Sequence, residues 1–235
     1  MKTTKQKTKT GIEHKNIWLI ALGLLALQII IGIVLYDSLP ERLYTHWNEH
    51  GVADDSMSKI YGVFFLPLFS FFISLILIFA PKLDPLKDNI AKFENSYYSF
   101  IIGFWAFMFY LNSLTLALNI FYSRGLSMSF NMIPLMVPAF AFLTYLTGDL
   151  LGKSKRNWTI GIRTSWALYN DAVWDRVHRR ASKILKLASL VTLSGIFFDR
   201  WAFLLMITPL IAAMVFSCID SYVQYRIEIG KKKNK

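Results

Sequence analysis

Residues 17–36 read IWLIALGLLALQIIIGIVLY, twenty residues without a charge, 13 of them Leu, Ile or Val. A helix of that length, rising 1.5 Å per residue, matches the ~30 Å hydrocarbon core of a bilayer. Its Leu, Ile and Val side chains alone favour insertion by roughly 4–8 kcal/mol. Asp37-Ser38-Leu39-Pro40 follows in place of a small-residue cleavage site. The segment therefore reads as an uncleaved membrane anchor.

Five further apolar blocks extend outward from it. They cover residues 61–80, closed by Pro81, then 97–120, 128–151, 184–198 and 201–219. The fifth is short and carries Lys186 near its start, where a long stem can snorkel to the interface. Pro67, Pro134, Pro138 and Pro209 lie inside these blocks. A packed bundle tolerates them because neighbouring helices satisfy the freed carbonyls. The expected fold is all-α: a polytopic membrane protein of about six transmembrane helices. Cys218 is the single cysteine, so there is no disulfide framework.

The basic residues orient the chain. With the N-terminus inside, five Lys fall in the first tail, three around residues 81–96, nine between 153 and 186 and five from 226 onward. Arg42, Lys59, Arg124 and Arg200 remain outside, a division of 22 against 4. Six spans with both termini in the cytoplasm of a cell-membrane protein fit that split, whereas five or seven would strand a basic terminus outside. The net charge of +11 is then topological, and it attracts anionic lipid headgroups at the cytoplasmic face. No basic stripe sits on a foldable soluble domain, so direct nucleic-acid binding is not expected. The organisation expected is a basic tail at 1–16, a two-helix module at 17–96 with an outer loop at 37–59, a second module at 97–225 with an inner loop at 152–183, and a basic tail at 226–235.

Both loops carry unusual residues. His46-Trp47-Asn48-Glu49-His50 spells H-x-x-E-H, which on a helix would set two imidazoles on one face beside a glutamate. Zinc catalysis, adventitious metal capture and a hydrogen-bonded loop facing water are all open readings of it. The flanking Pro40 and Gly51 favour the loop. In the inner loop, Arg156 to Trp166 mixes cations with indole rings, a composition suited to a membrane–water interface. Asn170 can cap a following helix, with Asp171 and Asp175 complementing its dipole. Along 171–183, Val173, Trp174, Val177 and Ala181 share one face, opposite Arg176, Arg179, Arg180 and Lys183. This predicts one cytoplasmic interfacial amphipathic helix leading into the fifth span. Trp174 and His178, four apart, can stack, and a neutral His178 can accept a hydrogen bond from Arg163. Two readings of Arg163, Thr164, Trp166, Trp174, His178 and Arg179 stand side by side: anchorage to lipid, and a docking surface for a protein or peptide. No ionisable residue lies near the middle of a block, which disfavours a coupled transporter. Asn112, Asn119 and Asn131 read as interhelical glue.

Both loops resemble known families. Leu39-Pro40-Glu41-Arg42, Thr45-His46-Trp47-Asn48, Gly51, Asp54 and Ser58-Lys59 resemble the small membrane domain designated DUF1648. Asn157-Trp158, Gly161-Ile162-Arg163-Thr164, Trp166, Val173-Trp174 and His178-Arg179 resemble the SdpI family signature. The pattern departs at Ala53, at Ser165 and over residues 167–170. The resemblance implies a non-enzymatic, bacterial-type immunity and signalling membrane protein without a cofactor. Its implied partners are a secreted toxic peptide outside, met by His46, Trp47 and Asn48, and an ArsR-type autorepressor held at the membrane inside. A small-solute permease or channel and a metal-dependent membrane hydrolase are the alternatives.

Overall fold

The structure, a computed structural model, describes residues 14–125 and 132–233. Most of the basic tail read at 1–16 lies outside the described residues, as do Asn131, the start of the fourth block and residues 234–235. The chain forms α1 (His14–Leu35), β1 (Arg42–Trp47), β2 (Ala53–Ser58), α2 (Lys59–Phe79), the single turn α3 (Lys87–Ile90), α4 (Glu94–Ser123), α5 (Met132–Lys153), α6 (Asp171–Ser194) and α7 (Ala202–Lys233). Among the described residues, the stretches holding α1, α2, α4, α5 and α7 are long and apolar enough to cross a membrane. The all-α, polytopic fold class holds.

Each helix buries one stripe at 3.6-residue spacing, and the stripes sort the helices into two groups. In the first, α1, α2 and α4 pack Ile17, Ala21, Ile78, Ile101 and Trp105 together at one end. Leu43, Val63 and Leu116, with Ile31 and Leu35, fill the other. In the second, α5 and α7 meet at Ile133, Val137, Ala202 and Met206. Leu151, Ala181, Leu185 and Ala213 close the cation-rich end of that group. Phe107 of α4 and Phe140 of α5 join the two, edge to face at 5.2 Å.

The chain over 171–198 is one helix and a short turn where the sequence divides it into an interfacial helix and a span. α6 runs back along the whole of α5. A Cβ on Gly152 would stand 2.7 Å from the Ser182 hydroxyl, one on Gly148 would stand 3.1 Å from Leu185 Cβ, and just beyond α6 one on Gly195 would reach Val137 at 3.3 Å. Gly148 and Gly152 thus form a G-x-x-x-G pair that lets two backbones approach closely. The face Val173, Trp174, Val177 and Ala181 is at most 1% exposed. It packs on protein, where the sequence assigned it to lipid. Lys186 does not snorkel away; its ammonium meets Asp149 at 2.9 Å.

The segment between α1 and α2 is also more ordered than the loop expected there. β1 and β2 form an antiparallel hairpin, with irregularities in register between Tyr44 and Trp47. Leu43, fully buried, is the hydrophobic plug of the hairpin, and a Cβ on Gly62 would stand 2.8 Å from its Cβ. Asn48 builds the turn: its side-chain oxygen accepts from the His50 and Val52 amides at 3.0 and 3.1 Å. Gly51 takes the positive φ of 72° that the turn requires.

Candidate functional site

At the cation-rich end, residues 154–170 wrap around the first half of α6, and Trp174 and His178 are their axle. The two rings stack at 3.8 Å between centroids, 16° from parallel. The indole N–H of Trp174 donates to the Ser154 carbonyl at 3.2 Å. His178 Nδ1–H donates to the Trp174 carbonyl at 2.9 Å, and its Nε2 accepts the Ile162 amide at 2.9 Å. One nitrogen must donate and the other must accept, so the ring is neutral. Burial pushes its pKa down to about 4. The Nε2 partner is the Ile162 backbone, while Arg163 donates elsewhere, to the Trp158 carbonyl at 2.8 Å. Gly161 passes between these groups with φ of 122°. A Cβ there would stand 2.5 Å from His178 Nε2.

Asn157, quoted above only within the family signature, and Asp84, which the sequence does not single out, hold this loop in place. Asn157, fully buried, donates to the Lys155 and Ile160 carbonyls and accepts from the Thr159 and Ile160 amides. Asp84, in the turn after α2, accepts the Trp158 amide at 2.8 Å and the Thr159 hydroxyl at 2.6 Å. Asn89 adds a bond to the Arg156 carbonyl at 2.8 Å. The first helical group is therefore stapled to the signature loop by a buried carboxylate. Its sequence signal was weak, because an Asp before a Pro looks like any turn residue.

The extension of α7 closes the other side. Arg180 pairs with Asp220 at 3.0 Å and Arg176 with Glu228 at 2.8 Å. Thr164 donates to the Ser221 hydroxyl at 2.9 Å. Trp166 meets Tyr222 edge-on at 5.1 Å, and Tyr169 meets Tyr225 at 5.0 Å. Of the six inner residues singled out, Trp174 and His178 are thus core, and Thr164 is a half-buried clasp. Arg163, Trp166 and Arg179 are exposed. Arg179 and its neighbour Lys183 make no ion pair among the described residues, unlike Arg176 and Arg180. They form the free cationic face of a folded unit.

At the far end, His46 lies in β1 and His50 in the turn, so the H-x-x-E-H spacing does not put them on one helical face. His46 Nδ1 instead contacts the Asp54 carboxylate at 2.6 Å, and His50 faces Glu49 at 3.5 Å. His46 stands open to water, while Trp47 and Asn48 are half-buried. Asn119 of α4, fully buried, works here as a surrogate strand. Its side chain accepts the Tyr44 amide at 2.8 Å and donates to the Tyr44 carbonyl at 2.9 Å. It binds hairpin to bundle rather than helix to helix. The Ser56 position of β2 is closed by side chains, with its amide donating to Asp55 and its carbonyl accepting from Arg42 at 2.7 Å each. Both edges of the small sheet are thereby blunted.

Comparison with known proteins gives both ends relatives. Residues 153–219 match the SdpI/YfhL protein family. Residues 23–71 match DUF1648, a domain of unknown function. The chain is 26% identical over 213 residues to the immunity protein SdpI of Bacillus subtilis, covering 90% of this chain and 96% of that protein. No solved structure matches. The sequence resemblance holds at both modules.

Proposed function

We propose, from the premise that the chain joins a DUF1648 module to an SdpI/YfhL module, that it is a non-enzymatic membrane immunity protein. It protects its host against a secreted peptide toxin met at the outer hairpin, where His46, Trp47 and Asn48 lie. It reports that encounter at the cytoplasmic unit built on Trp174 and His178, where Arg163, Trp166 and Arg179 face anionic headgroups or an ArsR-type autorepressor. The observation that carries this reading is the near full-length likeness to an immunity protein. Two features of geometry support it. α2 begins directly after β2 and ends in the turn of Asp84, a continuous link from hairpin to signature loop. The second half of α6 lies along α5, from Ser182 beside Gly152 to Leu185 beside Gly148, and Gly195 just beyond it reaches Val137, which supports a sixth span and both termini in the cytoplasm, with the domain limits given above.

Survival tests the proposal. Bacillus subtilis cells stripped of their own SdpI and grown beside toxin-secreting cells should survive when they express this chain. Death at equal membrane expression would contradict it. Alanine at Arg163 and Arg179 should lower reporter induction and leave survival intact; if both variants preserve induction, the docking role fails.

A further inference from the structure

The charged groups of the cytoplasmic side are mostly paired: Lys153 and Lys186 with Asp149, Lys155 with Asp175, Arg156 with Asp171, Arg176 with Glu228, Arg180 with Asp220. Besides the exposed Arg179 and Lys183, a second place departs from this pattern. Where α2 ends and α4 begins, a cavity of about 350 Å³ is rimmed by Lys82, Lys87, Asp88 and Glu94. All four are exposed, and none makes an ion pair among the described residues. The Lys82 ammonium rests 4.8 Å over the Phe79 ring, and Glu94 accepts the Tyr98 hydroxyl at 2.5 Å. Beneath them the floor is apolar, with Ile78, Ile90 and Tyr97 each no more than 5% exposed. The size falls at the lower end of small-ligand cavities, roughly 300–1,000 Å³.

We infer that this cavity seats one phospholipid with a zwitterionic phosphoethanolamine headgroup. Two ammonium groups face the phosphate, and two carboxylates face the lipid's own ammonium, which has three N–H donors to give them. An anionic headgroup meets the same lysines but is repelled by Asp88 and Glu94. A free phosphate leaves the apolar floor unused. The position fits a lipid, since the cavity lies at the ends of two apolar spans, Lys59–Leu83 and Lys87–Ser123. Beside it Leu83 is 85% exposed, an aliphatic side chain placed to touch an acyl chain.

The test uses the full-length protein reconstituted in vesicles of equal phosphatidylethanolamine, phosphatidylglycerol and phosphatidylcholine, with retained lipid identified by native mass spectrometry. The wild type should keep one phosphatidylethanolamine. Lys82→Gln with Lys87→Gln, and separately Asp88→Asn with Glu94→Gln, should each lower its retention about tenfold, the size expected for losing two solvent-screened pairs. Ala91→Phe, which keeps all four charges and intrudes on the cavity, should lower retention by about tenfold or more while circular dichroism stays unchanged. That variant decides the matter if a charge variant fails to fold. Retention unaffected by Ala91→Phe, preferential retention of phosphatidylglycerol, or equal retention of phosphatidylcholine would each overturn the assignment.

Discussion

At the scale of single residues, His178 makes the sharpest predictions. Its folded-state pKa lies below the ordinary 6.5, so protons bind first to the opened loop. The stability it contributes is complete above about pH 6.5 and is lost as the pH falls toward about 4, at most about 3 kcal/mol in total. Amide hydrogen exchange over residues 157–168, corrected for intrinsic rates, should speed up across that window, and His178→Phe should remove the extra pH dependence. Gly161→Ala should destabilise the same loop by about 1–3 kcal/mol, because its φ and the nearby imidazole both oppose a Cβ. Asp84→Ala removes a buried acceptor of three hydrogen bonds. It should raise exchange in the Trp158–Thr159 segment by about 2–3 kcal/mol of protection, with no comparable change at the hairpin. The indole and the imidazole were legible from their four-residue spacing. Asp84 was not, and Asn157 was legible only as part of the family signature, since the bonding of both comes from burial that no local pattern announces.

At the scale of elements, the apolar blocks gave up their helices readily, because twenty uncharged residues have few other uses. The hairpin was hidden for a physical reason. β1 has the aromatic and β-branched residues of a strand, but β2 is Ala-Asp-Asp-Ser-Met-Ser, a sequence of low strand propensity. It pairs because Leu43 is buried on the bundle and Asn119 fixes Tyr44 from outside the sheet. Asn119→Ala should therefore loosen the hairpin by about 1–3 kcal/mol, read as faster proteolysis at Glu49–His50, with the helical signal unchanged. α6 runs unbroken past residue 184, because its buried stripe of Val173, Val177, Ala181, Leu185 and Ala188 keeps one helical spacing. Its seat on α5 depends on small residues, so Gly152→Leu should disrupt it through collision with Ser182. Leucine at Gly23, which has open space around it, is the matched control. A fall in the melting temperature confined to the Gly152 variant is the expected result.

At the scale of the molecule, charge and likeness converge on one arrangement. The hairpin is carried at one end of the bundle, and the signature loop, beside the exposed Arg179 and Lys183, at the other. α2 and the Asp84 turn run between them as a direct covalent and hydrogen-bonded link. An immunity protein that both meets a toxin and informs the cell requires these two surfaces to lie on opposite sides of one membrane. Cysteine labelling in intact cells tests that requirement most directly. With Cys218, which is exposed, replaced by Ser, Glu49→Cys should react with a membrane-impermeant maleimide. Ser165→Cys should stay unlabelled until the cells are opened. Labelling of both positions in intact cells, or of Ser165→Cys alone, would contradict the account.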